Sequence, residues 1–214
     1  MDKFIFKKSN ALNLDQCQYF IDQIENCPKS DILFDKFRVY FALNKCRESE
    51  KLKWIELHSI LIDFFNEYVS LHPFLMTKGM EEWTFDSRMN LQKYLPGNYY
   101  KQEHCEHGPS LEATGRVLGW MIYLNDIKKG GGTCWPQQNF ISTAKAGDLY
   151  IWPAAWTHSH HGMVAPNEIK YILTGWCNYT QSINNQSFFP DMNRGNISQS
   201  KSEKKYMYVC SQLP

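Results

Sequence analysis

The sequence predicts a mainly β domain with helices gathered at its N-terminal end, built as an antiparallel sandwich or barrel. Three observations carry that expectation. Apolar residues recur at three- and four-residue spacing only before Pro73. From Trp83 onward, short stretches rich in aromatic and β-branched residues alternate with Gly, Pro and Asn turn signals. A length of 214 residues is long for one domain and short for two, which suits a single domain with local additions.

The first helix is expected over residues 14–26, where Leu14, Cys17, Phe20, Ile21 and Ile24 form one stripe behind a capping Asn13. The second runs from Leu52 to Val69 through Ile55, Ile60, Leu61, Phe64, Phe65 and Tyr68. His58 falls inside that pattern and reads as a core histidine. Residues 1–75 thus form a helical support. The β core is expected over residues 83–180, with extended stretches at 83–95, 96–100, 117–126, 128–133, 146–153 and 170–179. Gly130, Gly131 and Gly132 mark a tight turn; they lack the helix and the Lys-Ser/Thr pair of a phosphate-binding loop. From Ser182 to Pro214 the chain is rich in Asn, Ser, Gln and Lys and reads as a polar surface arm, with a short apolar stretch at 206–209. No internal repeat is visible.

Bulk properties exclude several classes. A net charge of +1 gives no basic field, so neither nucleic acid nor an anionic membrane is an expected partner. Seven cysteines without a CxxC pair read as reduced thiols rather than a disulfide framework. The first ten residues lack the apolar core of a signal peptide, and no run approaches the ~20 apolar residues of a membrane helix. Cytoplasm is the expected location. The glycosylation-like triplets at Asn178, Asn185 and Asn196 are chance matches in that setting.

Chemistry concentrates in two places. Five of the seven histidines lie in Gln102-Glu103-His104-Cys105-Glu106-His107 and in Trp156-Thr157-His158-Ser159-His160-His161-Gly162. On an extended segment residues i and i+2 share a face, so His104 and Glu106 can approach one ion together, while Cys105 and His107 point away. Cys105 then reads as core and His107 as an edge residue. A third ligand must come from the distant segment, where His158, His160 and His161 compete. Two imidazoles and one carboxylate leave the opposite face of an ion open, the pattern of non-haem Fe(II) oxygenases; a structural zinc site would close four ligands around the metal. The His-x-Glu pair alone is a weak signal. Lys170, ten residues beyond His160 on a strand-like run, strengthens it. A lysine there can anchor the far carboxylate of a dicarboxylate such as 2-oxoglutarate whose near end chelates the ion.

Taken in order, these pieces resemble the 2-oxoglutarate oxygenases of the prolyl-4-hydroxylase superfamily over about residues 85–180. The pieces are Tyr94-Leu95-Pro96-Gly97 with Tyr100 and His104-Cys105-Glu106, then Arg116 leading into Ile122-Tyr123-Leu124-Asn125. Gly131-Gly132-Thr133, Ala146-Gly147-Asp148 and the run from His160 through Lys170 to Trp176 follow. The Trp156–His160 block is similar to that of phage and marine bacterial members. The resemblance implies a double-stranded β-helix (jelly-roll, cupin-like) barrel with the N-terminal helices on its major sheet. It implies iron on His104, Glu106 and His160, the last preferred over His158 by its spacing to Lys170 and the following glycine. It places 2-oxoglutarate on Lys170 with help from Tyr94, Tyr123 or Thr174, and substrate near Arg116 and Trp176. Fe(II), 2-oxoglutarate and O2 are the implied cofactors, with ascorbate in support.

Two departures stand out. Glu106 replaces the usual aspartate, as in some similar members. Lys170 matches the collagen-type enzymes, where those acting on hypoxia factors carry arginine, and supplies a point charge in place of a two-pronged fork. The implied substrate is a prolyl residue of a peptide or protein, with a free amino acid or small metabolite next. The rival classes are a non-catalytic metal-binding cupin-like protein and a metal-dependent hydrolase or isomerase, neither of which requires Lys170.

Overall fold

The computed structural model describes residues 3–28, 32–34, 39–42 and 51–180. In chain order the elements are β1 (Phe6–Lys8), α1 (Leu14–Glu25), β2 (Ile32–Phe34), β3 (Val39–Ala42), α2 (Lys51–Leu71), β4 (Trp83–Tyr94) and α3 (Leu111–Thr114). β5 (Arg116–Tyr123), β6 (Thr133–Trp135), β7 (Phe140–Ile141), β8 (Leu149–Pro153), β9 (His161–Gly162) and β10 (Lys170–Tyr179) complete the set. The polar arm expected at 182–214 lies outside the described residues.

Seven strands form the major sheet in the order β1-β8-β5-β10-β4-β3-β2, and β7-β6-β9 form a second, smaller sheet. Every pairing is antiparallel. This is the expected jelly-roll with its two helices on the major sheet. The N-terminal 75 residues are not purely helical, however: β1, β2 and β3 extend both edges of the sheet. Those strands span only three or four residues, too few for a period-two pattern to declare itself. The expected extension at 96–100 is instead a turn, with Gly97 at φ 81° and its N–H bonded to the Ala165 carbonyl.

Both faces of the major sheet are covered, and one residue in two serves each. On the outer face Leu91, Leu118, Trp120, Ile122, Leu149, Ile151 and Leu173 meet Cys17, Phe20 and Ile24 of α1 and Leu57, Leu61, Phe65 and Tyr68 of α2. The alternate residues Tyr94, Met121, Tyr123, Tyr150, Trp152 and Ile172 turn inward towards Trp135 of the small sheet. Strands buried on both sides read as continuous apolar runs rather than alternating ones, which is why 117–124 and 149–153 carry so few polar residues.

Asn13 caps α1 in a reciprocal capping box with Gln16, both bonds at 2.9 Å. Leu14, placed by its spacing in the buried stripe, is 71 % exposed; the helix contact begins at Cys17, one turn further on. His58 is buried edge-on against Phe85, ring centroids 5.6 Å apart, as a core histidine. No helix among the described residues is long and apolar enough to cross a membrane.

Gly175 and Gly119 lie at close approaches. A β-carbon on Gly175 would stand 2.4 Å from the fully buried Trp120 ring, which lies over its cross-strand partner. Gly175→Ala is therefore expected to destabilise by about 1–3 kcal/mol, lowering Tm by several degrees in a calorimetric scan. An unchanged Tm would show that Trp120 has room to move.

Candidate metal centre and its cavity

A strand-like pairing between two distant segments builds the site. The His104 N–H donates to the His160 carbonyl (3.0 Å) and the His160 N–H returns the bond to His104 (2.8 Å), an isolated antiparallel bridge. Two residues on, Gly162 N–H donates to the Tyr100 carbonyl at 2.9 Å. Glu106 is held from the other side, its N–H on the carbonyl of Ala154 just beyond β8. The imidazole rings consequently sit 4.5 Å apart, centroid to centroid. One ligating atom from each of His104, Glu106 and His160 lies within 4.8 Å of the others.

The orientation of both rings follows from their neighbours. His104 Nδ1 lies 2.9 Å from the Gln102 carbonyl and His160 Nδ1 lies 3.0 Å from the His158 carbonyl. Carbonyls only accept, so each Nδ1 donates there and each Nε2 is the ring atom turned to the site. His160 Nε2 faces Glu106 Oε1 at 3.2 Å. The His160 ring is wedged by Trp152 (5.1 Å) and Trp135 (5.7 Å), and the His104 ring by Tyr100 (4.6 Å). Glu106 is buried, and desolvation alone would raise its pKa. Hydrogen bonding and charge from His160, then charge from His104 and the Trp176 indole bond, outweigh that and hold it at about 2. An ionised carboxylate and two imidazoles held with Nε2 towards it fit a divalent cation of intermediate softness such as Fe(II).

His104, Glu106 and His160 line one cavity of about 310 Å³ together with Lys170, Tyr94, Thr174, Arg116 and Trp176. Lys170 starts β10 and is 3 % exposed. Its ammonium lies 4.7 Å from the centre of the Tyr94 ring, and among the described residues no carboxylate is within ion-pair distance. Burial pushes its pKa down to about 8. Beside it runs a hydrogen-bonded row: the Tyr94 hydroxyl donates to Gln92 Oε1 (2.6 Å), and Gln92 Nε2 donates to Thr174 Oγ1 (2.7 Å).

Tyr123 departs from expectation. It is fully buried behind the cavity, its hydroxyl engaged with Thr133 (2.9 Å) and Ser142 (2.8 Å). Thr133 itself lines the cavity, so Tyr123 supports the wall and does not contribute to it. Cys105, expected in the core, is half-buried at the cavity wall with its thiol directed to the His107 carbonyl. That segment is a loop with a single bridge, so strict strand alternation does not hold there.

Arg116 and Trp176 both reach the cavity, yet their polar atoms turn to Glu106. The indole Nε1 donates to Glu106 Oε2 at 2.5 Å, and Arg116 donates to the Glu106 carbonyl at 3.1 Å. His158 does not share a face with His160. A 3-10 turn over Trp156–His158 breaks the alternation, and its ring nitrogens contact the Thr157 hydroxyl and the Lys3 carbonyl. His107 is exposed and bonds the Arg116 carbonyl; His161 lies in β9, paired with Cys134.

Sequence reasoning missed Gln92, Thr133 and Trp152. Gln92 was accessible, since Asn90, Gln92 and Tyr94 share a face of β4 at period two. Thr133 stood in the Gly131-Gly132-Thr133 piece of the resemblance but was given no role there, and Trp152 carried no comparable signal.

No protein-family model matches the chain, and no curated protein is similar to it in sequence. Solved structures do resemble it. A viral collagen prolyl hydroxylase from Paramecium bursaria Chlorella virus-1, in complex with 2-oxoglutarate, superposes with a TM-score of 0.61 at 17 % identity, covering 83 % of this chain and 97 % of that one. A Trichoplax adhaerens prolyl hydroxylase bound to a hypoxia-inducible-factor peptide gives 0.60 at 14 %, covering 84 % and 85 %. A Burkholderia pseudomallei oxidoreductase of the 2OG-Fe(II) oxygenase family gives 0.62 at 11 %, covering 82 % and 84 %. The chain has the double-stranded β-helix fold that these proteins share.

Proposed function

We propose that this chain is an Fe(II)- and 2-oxoglutarate-dependent oxygenase that hydroxylates an unactivated C–H bond, with a prolyl residue of a peptide or protein as leading substrate. One observation carries the reading: a His/Glu/His donor set and a buried lysine without an acidic partner among the described residues line the same cavity. The peptide-bound Trichoplax relative supports a peptide substrate.

His104, Glu106 and His160 would hold the iron. With 2-oxoglutarate and O2 it supplies an oxidative decarboxylation that releases succinate and CO2 and puts one oxygen into the substrate C–H bond. The rest is positioning. Lys170 holds the distal carboxylate of the co-substrate, and Thr174 and Tyr94 offer hydroxyls beside it. Gln92 keeps both hydroxyls oriented. Trp152 and Trp135 exclude water from behind His160, where the reacting end lies.

Mixed anaerobically with Fe(II) and 2-oxoglutarate, the protein is expected to show a weak visible charge-transfer band. His160→Ala should abolish it and His158→Ala should retain it; a folded wild-type protein without the band would sink the oxygenase reading.

Lys170 sets function against stability. Its pKa lies below the 10.5 of an ordinary lysine, so the unfolded chain holds the proton more tightly. The buried charge therefore lowers stability below pH 8, and that effect fades as pH rises from about 8 to 10.5. At about 1.4 kcal/mol per unit the full effect is on the order of 3 kcal/mol. Lys170→Met is expected to raise the Tm of the ligand-free protein at pH 7 by about 5 °C, with the gain shrinking towards pH 10.5. The same variant should weaken 2-oxoglutarate binding at least tenfold by calorimetric titration. A lower Tm with unchanged affinity would identify Lys170 as a packing residue.

A further inference from the structure

Glu106 is gripped by more than its metal-facing neighbours. Its Oε1 faces His160 Nε2, while Oε2 accepts the Trp176 indole N–H at 2.5 Å. Arg116 donates to the backbone carbonyl of Glu106 at 3.1 Å and stands 3.7 Å from Oε2. Its guanidinium lies 3.9 Å from the centre of the Trp176 ring. Room for the glutamate comes from Gly119, where a β-carbon would stand 2.9 Å from Glu106 Cγ. Gly119 is the cross-strand partner of Trp176. Opposite β4, β10 shifts register between Gly175 and Cys177, so Trp176 sits at a bulge, a device that re-aims a side chain.

Resting on the metal-binding reading above, we infer that Trp176 and Arg116 are positioning residues for the Glu106 carboxylate. The terminal torsion of a glutamate is broad and roughly two-fold. Left alone, this carboxylate would present either oxygen at many angles. The indole fixes Oε2 with a charge-assisted bond, which leaves Oε1 turned towards His160. Arg116, stacked on the indole and tied to the backbone of Glu106, keeps the indole and the carboxylate together. Gly119 sets the length: the gap accepts a glutamate, and an aspartate on the same backbone falls short of the indole.

The test is titration with Co(II) alone, anaerobically, following its visible d–d bands, on wild type, His160→Ala, Trp176→Phe, Arg116→Lys, Glu106→Asp and the Trp176→Phe/Glu106→Asp double variant. Trp176→Phe keeps the ring and loses only the N–H. It is expected to weaken Co(II) binding ten- to a hundredfold, with altered band positions and an unchanged circular dichroism spectrum. Arg116→Lys should weaken it in the same direction. Glu106→Asp should also bind more weakly than wild type. Adding Trp176→Phe to it should bring no further loss, because the shorter carboxylate no longer meets the indole. Wild-type binding that is lost in His160→Ala, with Trp176→Phe and Arg116→Lys both as tight as wild type, overturns the inference and leaves the metal site standing. Losses that add in full, or an aspartate variant tighter than wild type, overturn it too. A wild-type protein that binds no Co(II) removes the metal site and this inference together.

Discussion

Two backbone hydrogen bonds, exchanged between His104 and His160, are the constraint on which the site depends. Each is worth only about 1 kcal/mol in stability, but their value is geometric. They bring segments remote in sequence into one register and set both rings on the same side of it. Once that register exists, further bonds repeat it: Gly162 to Tyr100 on one side, Glu106 to Ala154 on the other. A donor set assembled from three independent loops would need each side chain ordered separately against its own entropy. Here the backbone orders two of them in one step.

That arrangement puts ionisable groups where water is scarce, and burial of such groups opposes folding. The opposite face of the same sheet compensates. Trp120, Leu118, Ile122 and Ile151 pack against α1 and α2, each large buried apolar side chain contributing about 1.5–3 kcal/mol. The helices thus carry no chemistry themselves. By covering one face of the major sheet with apolar contacts, they let the other face hold Gln92, Thr174, Lys170 and the cavity.

What the sequence made legible follows the same division. The helical stripes, the β-rich half and the His104/Glu106 pair rest on short-range periodicity, and the structure keeps them. Contacts that depend on how strands lie across one another were not accessible. Tyr123 was expected from the resemblance as one of three hydroxyls that could help hold 2-oxoglutarate; only the positions of Thr133 and Ser142 show that its hydroxyl is already engaged. His158 and His160 are indistinguishable by alternation, and a 3-10 turn separates them. Arg116 and Trp176, expected near the substrate, both line the cavity, but the direction of their polar atoms is set by Gly119 and the bulge at Gly175–Cys177. Neither carries a linear signature.

The charge pattern of the cavity narrows what can occupy it. At one end Lys170 has no acidic partner among the described residues and a pKa of about 8, so the ligand-free site holds its ammonium against burial. At the other end Glu106 stays ionised, with Arg116 3.7 Å from its Oε2. Adding a divalent cation there turns that end net positive as well. The cavity then presents two positive ends with hydroxyls and an amide between them, complementary to a short ligand with an anionic group at each end. A monoanion would leave one end uncompensated, and at the Lys170 end the price is the full desolvation of an ammonium. Occupancy by a dicarboxylate also restores the ordinary protonation of Lys170, since a carboxylate partner raises the pKa that burial lowers. Ligand and lysine would thus stabilise each other's charged forms, which, on the proposed oxygenase reading, ties the length of the co-substrate to the span between β10 and the His104–His160 bridge.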